Sequence, residues 1–222
     1  MNNKRSILSK TLLCTAMIAV AGSSLAGDHR QHGKTYEISF TNLTPGQPIA
    51  RLMVASHDAG MSLLNTSNEE LAYLAEAGNG QPMAEVLNAT SGVTSAVVGD
   101  TGHAPGGSST LLIQAHKRDH ISLGAMLGNT NDAFVGLMDV PLPKGKEVLT
   151  YLAPAYDAGT ETNDESCATI PGPACGGEAL SPADPGEGFV SIHNGIHGIG
   201  GLEASIYDWR NPVGRVVIRR VR

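Results

Sequence analysis

The chain has 222 residues, 41% of them hydrophobic, with 15 basic residues against 21 acidic ones and a formal net charge of −6. This balance, with no long basic block, argues against nucleic acid or anionic lipid as a general partner. The high glycine and proline content, 27 and 12 residues, implies many turns, yet short apolar runs recur between them, so a folded rather than a wholly disordered chain is expected.

Lys4, Arg5 and Lys10 precede an apolar run from Thr11 to Val20 and a small-residue site at Ser24-Leu25-Ala26, the pattern of a secretory signal peptide over residues 1–26. The run is too short to span a bilayer, and no later stretch approaches the roughly 20 apolar residues of a membrane helix. Cys14 lacks the preceding small residue expected of a lipidated cysteine. Secreted or periplasmic export is therefore expected. The signal carries three of the basic residues and none of the acids, so the remaining 196 residues carry −9.

Residues 27–34 read as a flexible tail, and 35–222 as one domain, a length that all-β sandwiches reach undivided. Strands are predicted at Thr35 to Asn42, where Tyr36, Ile38 and Phe40 alternate, then at Ile49 to Ala55, Thr110 to Ala115 and His120 to Leu127. Four more follow at Phe134 to Val140, Glu147 to Leu152, Leu202 to Tyr207 and Gly214 to Val221. Eight such segments suggest a two-sheet antiparallel sandwich. One short helix is signalled by the capping box Ser67-Asn68-Glu69-Glu70, the stripe Leu71, Leu74, Ala75, and Gly78 at its end. Pro82 to Gly107 and Asn163 to Gly188 read as long surface connections. Arg215, Arg219 and their neighbours fit a last strand with a solvated arginine face. Trp209 is expected to pack the sandwich edge, with Asp208 and Arg210 paired at the surface.

Phe134 to Val140 and Glu147 to Leu152 are joined by Pro141-Leu142-Pro143-Lys144-Gly145-Lys146, which is turn chemistry, and together they read as a hairpin. Centred between Lys144 and Gly145, its register sets Asp132 opposite Asp157 at the open end. Like charges facing across strands need a cation, a proton or solvent between them. Glu161, one turn beyond Asp157, is a third carboxylate. Oxygen ligands on loops with Gly159 suit a hard ion such as Ca2+. Solvated loop acids are the competing reading, and the acids at 164, 165, 178, 184 and 187 in the following loop are further possible ligands, with solvated charge the better reading for each.

Cys167 and Cys175 remain after signal removal, and in an exported chain they predict one disulfide; without partner cysteines a metal or redox pair is the weaker alternative. The rival metal site is histidine-based: His116 and His120, and His193 and His197, each lie four apart, with His57 and His103 elsewhere. That reading implies an exported metalloenzyme or a zinc- or copper-handling protein. No G-x-S-x-G, H-E-x-x-H or P-loop motif occurs, and few aromatics are present to form a sugar platform for paired catalytic carboxylates. Sequons stand at Asn42, Asn65 and Asn88.

Tyr36-Glu37-Ile38-Ser39-Phe40, Val54-Ala55-Ser56-His57, Glu70-Leu71-Ala72 and Ile113-Gln114-Ala115 occur in this order along the chain. They are followed by Asp132-Ala133-Phe134-Val135-Gly136-Leu137, Asp157-Ala158-Gly159-Thr160-Glu161, Ala168-Thr169-Ile170-Pro171 and Asn211-Pro212-Val213-Gly214-Arg215-Val216. In order and spacing this series resembles the spondin domain, the amino-terminal module of the F-spondin and mindin family of extracellular matrix proteins. The resemblance implies a C2-like β-sandwich, Ca2+ held by Asp132, Asp157 and Glu161 in loops at one end, and a role in adhesion or recognition of an extracellular protein or glycan, without catalysis. The chain departs from the family pattern in having Glu161 where Asp is usual and Ala133 where Trp is common.

Overall fold

A computed structural model describes residues 33–221, so the signal-peptide reading falls outside the described residues. Of the expected tail only Gly33 and Lys34 are described, and Lys34 already belongs to the first strand. The expected antiparallel β-sandwich is observed, with ten strands and three short helices among the described residues.

One sheet contains β4 (Ser108–Ala115), β1 (Lys34–Asn42), β10 (Gly214–Arg220) and β7 (Val148–Ala153), in that order. The other runs β3 (Val93–Val98), β2 (Met53–His57), β5 (His120–Met126), β6 (Ala133–Pro141), β8 (Ala155–Asp157) and β9 (Ser191–Ile192). All pairs are antiparallel. The period-two pattern puts Tyr36, Ile38 and Phe40 of β1 and Val216 and Ile218 of β10 into the space between the sheets, against Val54, Leu123 and Val135. The alternate positions Arg215 and Arg219 are exposed, and Arg219 pairs with Glu37.

Strand β2 does not alternate, because all five of its residues are buried. Its other face is covered by α1 (Glu69–Ala75) and α2 (Gln81–Asn88): Met53, Ala55 and Phe134 pack there with Leu71, Leu74, Met83 and Leu87. Each leucine, methionine or phenylalanine among them contributes about 1.5–3 kcal/mol on burial. Helix α1 starts at Asn68, whose side chain accepts the Leu71 N–H at 2.9 Å, one residue later than Ser67 in the expected box. The stretch expected as a surface connection after Pro82 in fact holds α2 and β3; the stripe Met83, Ala84, Leu87 is its helical signal.

Two expectations are corrected. Leu202 to Tyr207 is not a strand: Ala204–Tyr207 forms one helical turn, α3, closed by local bonds such as Asp208 N–H to Ala204 C=O at 3.0 Å. A run this short has no periodicity that separates helix from strand. The hairpin from Phe134 to Leu152 does not pair with itself either. Strand β7 lies beside β10 in the other sheet, and the chain returns to β6 only as β8, after Pro154. Proline has no N–H to continue a ladder, so the strand breaks there and crosses between sheets.

Asn42, at the end of β1, is fully buried and has every hydrogen-bonding position filled. Its amide donates to Gln47 C=O (2.8 Å) and His103 C=O (3.1 Å), and its oxygen accepts from Thr44 N–H (2.9 Å) and the Thr44 hydroxyl (2.8 Å). No helix among the described residues is long and apolar enough to cross a membrane.

The Cys167–Cys175 disulfide is formed, with Cα atoms 4.9 Å apart. It closes a loop that Ile170 anchors in the core and that Asn129 grips through the Ala174 N–H at 3.0 Å. Replacing both cysteines by serine is expected to lower the unfolding free energy by about 2–3 kcal/mol, the loop-closure value for so short a segment, measured by urea denaturation.

Candidate metal centre

Asp132 ends the β5–β6 connection, where the Thr130 hydroxyl closes the loop onto Leu127 C=O at 2.6 Å and receives the Ala133 N–H at 3.1 Å. Asn129, Thr130, Asn131 and Asp132 are all buried. Asp157 ends β8, whose register sets it opposite Ala133, one residue from the expected partner Asp132. The two acids therefore meet as the sequence suggests, but across β6 and β8.

Beyond Asp157 the chain turns through Gly159, where φ is +65° and an added Cβ would stand 2.3 Å from Phe189 C=O. Only glycine fits there. This turn folds the backbone around Asp132: Oδ2 accepts the N–H of Thr160 at 2.8 Å and of Glu161 at 3.2 Å. Asp157 Oδ1 accepts the Gly159 N–H at 2.7 Å, and Oδ2 accepts the Asn163 amide at 2.5 Å. The long loop returns over this turn, with the Gly188 N–H on Gly159 C=O at 2.8 Å, and brings Glu187 in. One carboxylate oxygen from each of Asp132, Asp157 and Glu187 lies within 4.8 Å of the others, with Asp132 and Asp157 buried and Glu187 exposed.

Glu161 is not part of that group. The peptide N–H of Glu161 serves Asp132, while its carboxylate is held elsewhere, by the Asn131 amide at 3.2 Å and the Ser181 hydroxyl at 3.2 Å. Glu187 takes the third place. It is 26 residues beyond Glu161 in a loop with five acids, and nothing in the spacing distinguishes it from the other four.

Electrostatics make the cluster costly as it stands. Asp132 Oδ1 is buried with no hydrogen-bond partner. Burial first, and then the charge of Asp157, push the Asp132 pKa up to about 8, and burial also raises Asp157. Among the described residues no lysine, arginine or histidine forms an ion pair with these acids. A buried acceptor without a donor, in a group of three carboxylates without a basic partner among the described residues, fits a hard divalent ion.

The histidines are differently placed. His193 accepts the Gly195 N–H at Nδ1 (3.0 Å), so Nε2 carries the proton that it shares with Asn163 Oδ1 (2.9 Å). No lone pair is left for zinc or copper. Burial keeps this ring neutral, with its pKa pushed down to about 4, and Trp209 packs against it at 5.1 Å between centroids. Asn163 thus relays His193 to Asp157. His197 lines the same cavity of about 210 Å3 beside Asp157, with Asn131 and Glu165. His120 bonds Asp139 at 2.8 Å, and His57 bonds the Ser122 hydroxyl at 2.9 Å, neither near the acidic group in sequence or sheet position.

The folded pKa of Asp132 lies above its unfolded value of roughly 3.9. Its contribution to stability is therefore complete below about pH 4 and is lost as pH rises through about 8. In chelator, the stability difference between wild type and Asp132→Asn is expected to shift steadily toward the variant from pH 4 to 8, followed by urea denaturation at each pH. Neither a protein-family model nor a curated protein matches this chain.

Proposed function

We propose that this chain is an exported, non-catalytic, calcium-binding module of the spondin type that recognises an extracellular protein or glycan. The observation that carries this reading is the convergence of Asp132, Asp157 and Glu187 around a buried carboxylate oxygen that has no donor. The disulfide is compatible with an oxidising compartment. The likeness of the motif series to spondin domains adds the adhesive role.

Calcium would be held by Asp132, Asp157 and Glu187, and it would supply the positive charge that the three acids lack. Calcium takes six to eight oxygens, so three carboxylates leave positions for water or for an acidic group of a partner. Asp157 is oriented by Gly159 and Asn163, and Asp132 by two backbone N–H groups, so both ligands are set before an ion arrives. The exposed Glu187 sits on the solvent side, where a partner would approach. The rival, a histidine-based metal handler or metalloenzyme, has weaker support, since His193 spends both ring nitrogens within the protein.

Calorimetric titration of the chelator-treated protein with calcium tests this reading, with zinc as the control ion. Saturable calcium binding is expected, and free calcium at 100 times Kd should add about 2.7 kcal/mol to the unfolding free energy. Asp157→Asn should abolish binding at this site. Glu187→Gln should weaken it without changing the stability of the calcium-free protein, because Glu187 is exposed. Tight zinc binding with no calcium binding would overturn the proposal.

A further inference from the structure

Glu76 combines three unfavourable placements. It is the C-cap of α1, where the helix dipole presents its negative end, and the last turn of that helix has no basic residue. It is 3% exposed. It also shares a hydrogen-bonding residue, Ser181, with a second buried acid, Glu161, which is 1% exposed. Ser181 joins the two carboxylates: its N–H donates to Glu76 Oε2 at 3.0 Å and its hydroxyl to Glu161 Oε1 at 3.2 Å. Burial, followed among the neighbouring charges by Glu161 and Asp184, raises the Glu76 pKa.

The other oxygen of Glu161, Oε2, is buried and has no hydrogen-bond partner. Among the described residues no basic side chain pairs with Glu76, Glu161 or Asp184. A buried carboxylate pair of this kind is stable only with a shared proton or a cation. A groove of about 430 Å3, lined by Glu76, Ser181 and Asp184 among others, lies against the pair on its Glu76 side.

We propose that a second divalent cation, of the hard oxygen-seeking class that includes calcium, binds between Glu76 and Glu161. This site is separate from the Asp132–Asp157–Glu187 group, although the Thr160-Glu161 segment touches both. Its two N–H groups and the Thr160 hydroxyl serve Asp132 of the first site, and the Glu161 side chain serves the second. The second ion would pin the α1 terminus to the Ser181 loop, joining the helical layer to the metal end of the sandwich.

Calcium stoichiometry on the purified full chain, by equilibrium dialysis and calorimetry after chelation, tests this. Two ions per chain are expected for wild type. Glu76→Gln should retain one, and Asp157→Asn should also retain one, the ion at Glu76. One ion in wild type that Glu76→Gln leaves in place and Asp157→Asn abolishes would overturn the second site and leave the first intact. One ion abolished by Glu76→Gln but kept in Asp157→Asn would support the second site and overturn the first. No bound calcium overturns both. If Glu76→Gln gives no cooperative unfolding transition, the wild-type count decides: two ions support the proposal and one overturns it.

Discussion

The break at Pro154 governs the architecture of the acidic end of the sandwich. Up to Ala153 the segment belongs to the four-stranded sheet, paired with β10, and from Ala155 it belongs to the six-stranded sheet, paired with β6. One continuous stretch of chain therefore stitches the two layers together where the sandwich would otherwise splay. The Pro154 carbonyl still accepts the Gly136 N–H at 3.0 Å, and the Ala155 N–H is taken by the Asn211 side chain at 2.8 Å, so the crossing leaves these backbone groups satisfied. Because β8 is only three residues long, Asp157 emerges from the sheet immediately beside the β5–β6 connection. The meeting of Asp132 and Asp157 follows from that geometry.

From there the structure concentrates negative charge and spends its backbone donors on it. The turn Asp157–Glu161 directs successive N–H groups inward, to Asp157 and to Asp132, which orients the carboxylates without neutralising them. Hydrogen bonds from neutral donors stabilise an ionised carboxylate only in part when it is desolvated, and here burial outweighs them, since the Asp132 pKa is raised despite two backbone bonds. The second carboxylate pair, Glu76 and Glu161, repeats the arrangement with Ser181 as its donor. Among the described residues neither place has a basic partner, so each folds at a cost that a bound cation would offset.

Much of this was legible in the sequence, and the rest was hidden for physical reasons. Alternation exposed β1 and β10, because each has one face in the core and one in solvent. It did not mark β8 and β9, which are too short to carry a period. α2 was obscured by surrounding small polar residues, although Pro82 and the Met83, Ala84, Leu87 stripe were present. A hairpin register read from the sequence brings Asp132 and Asp157 together, and the β6–β8 pairing does the same, because both routes join the same loop ends. Glu187 was not distinguishable from its acidic neighbours, since its place depends on the contact of Gly159 with Gly186 and Phe189, a long-range packing fact with no local signature. The disulfide needed no geometry, only the count of cysteines.

The buried Asn42 bears on what a glycosylating host would make of this chain. Asn42-Leu43-Thr44 satisfies the acceptor pattern for N-linked glycans, yet its amide nitrogen is sealed inside the sandwich and donates to two backbone carbonyls. A sugar attached to the unfolded chain during translocation would put a bulky polar group where β1 ends and would remove one of those donors. Folding and glycosylation at Asn42 are thus mutually exclusive outcomes for any single molecule. The exposed sequon at Asn65 carries no such conflict. In a glycosylating host the chain would divide into a folded population bare at Asn42 and a modified one held back from export, whereas a host without that machinery would give a single population.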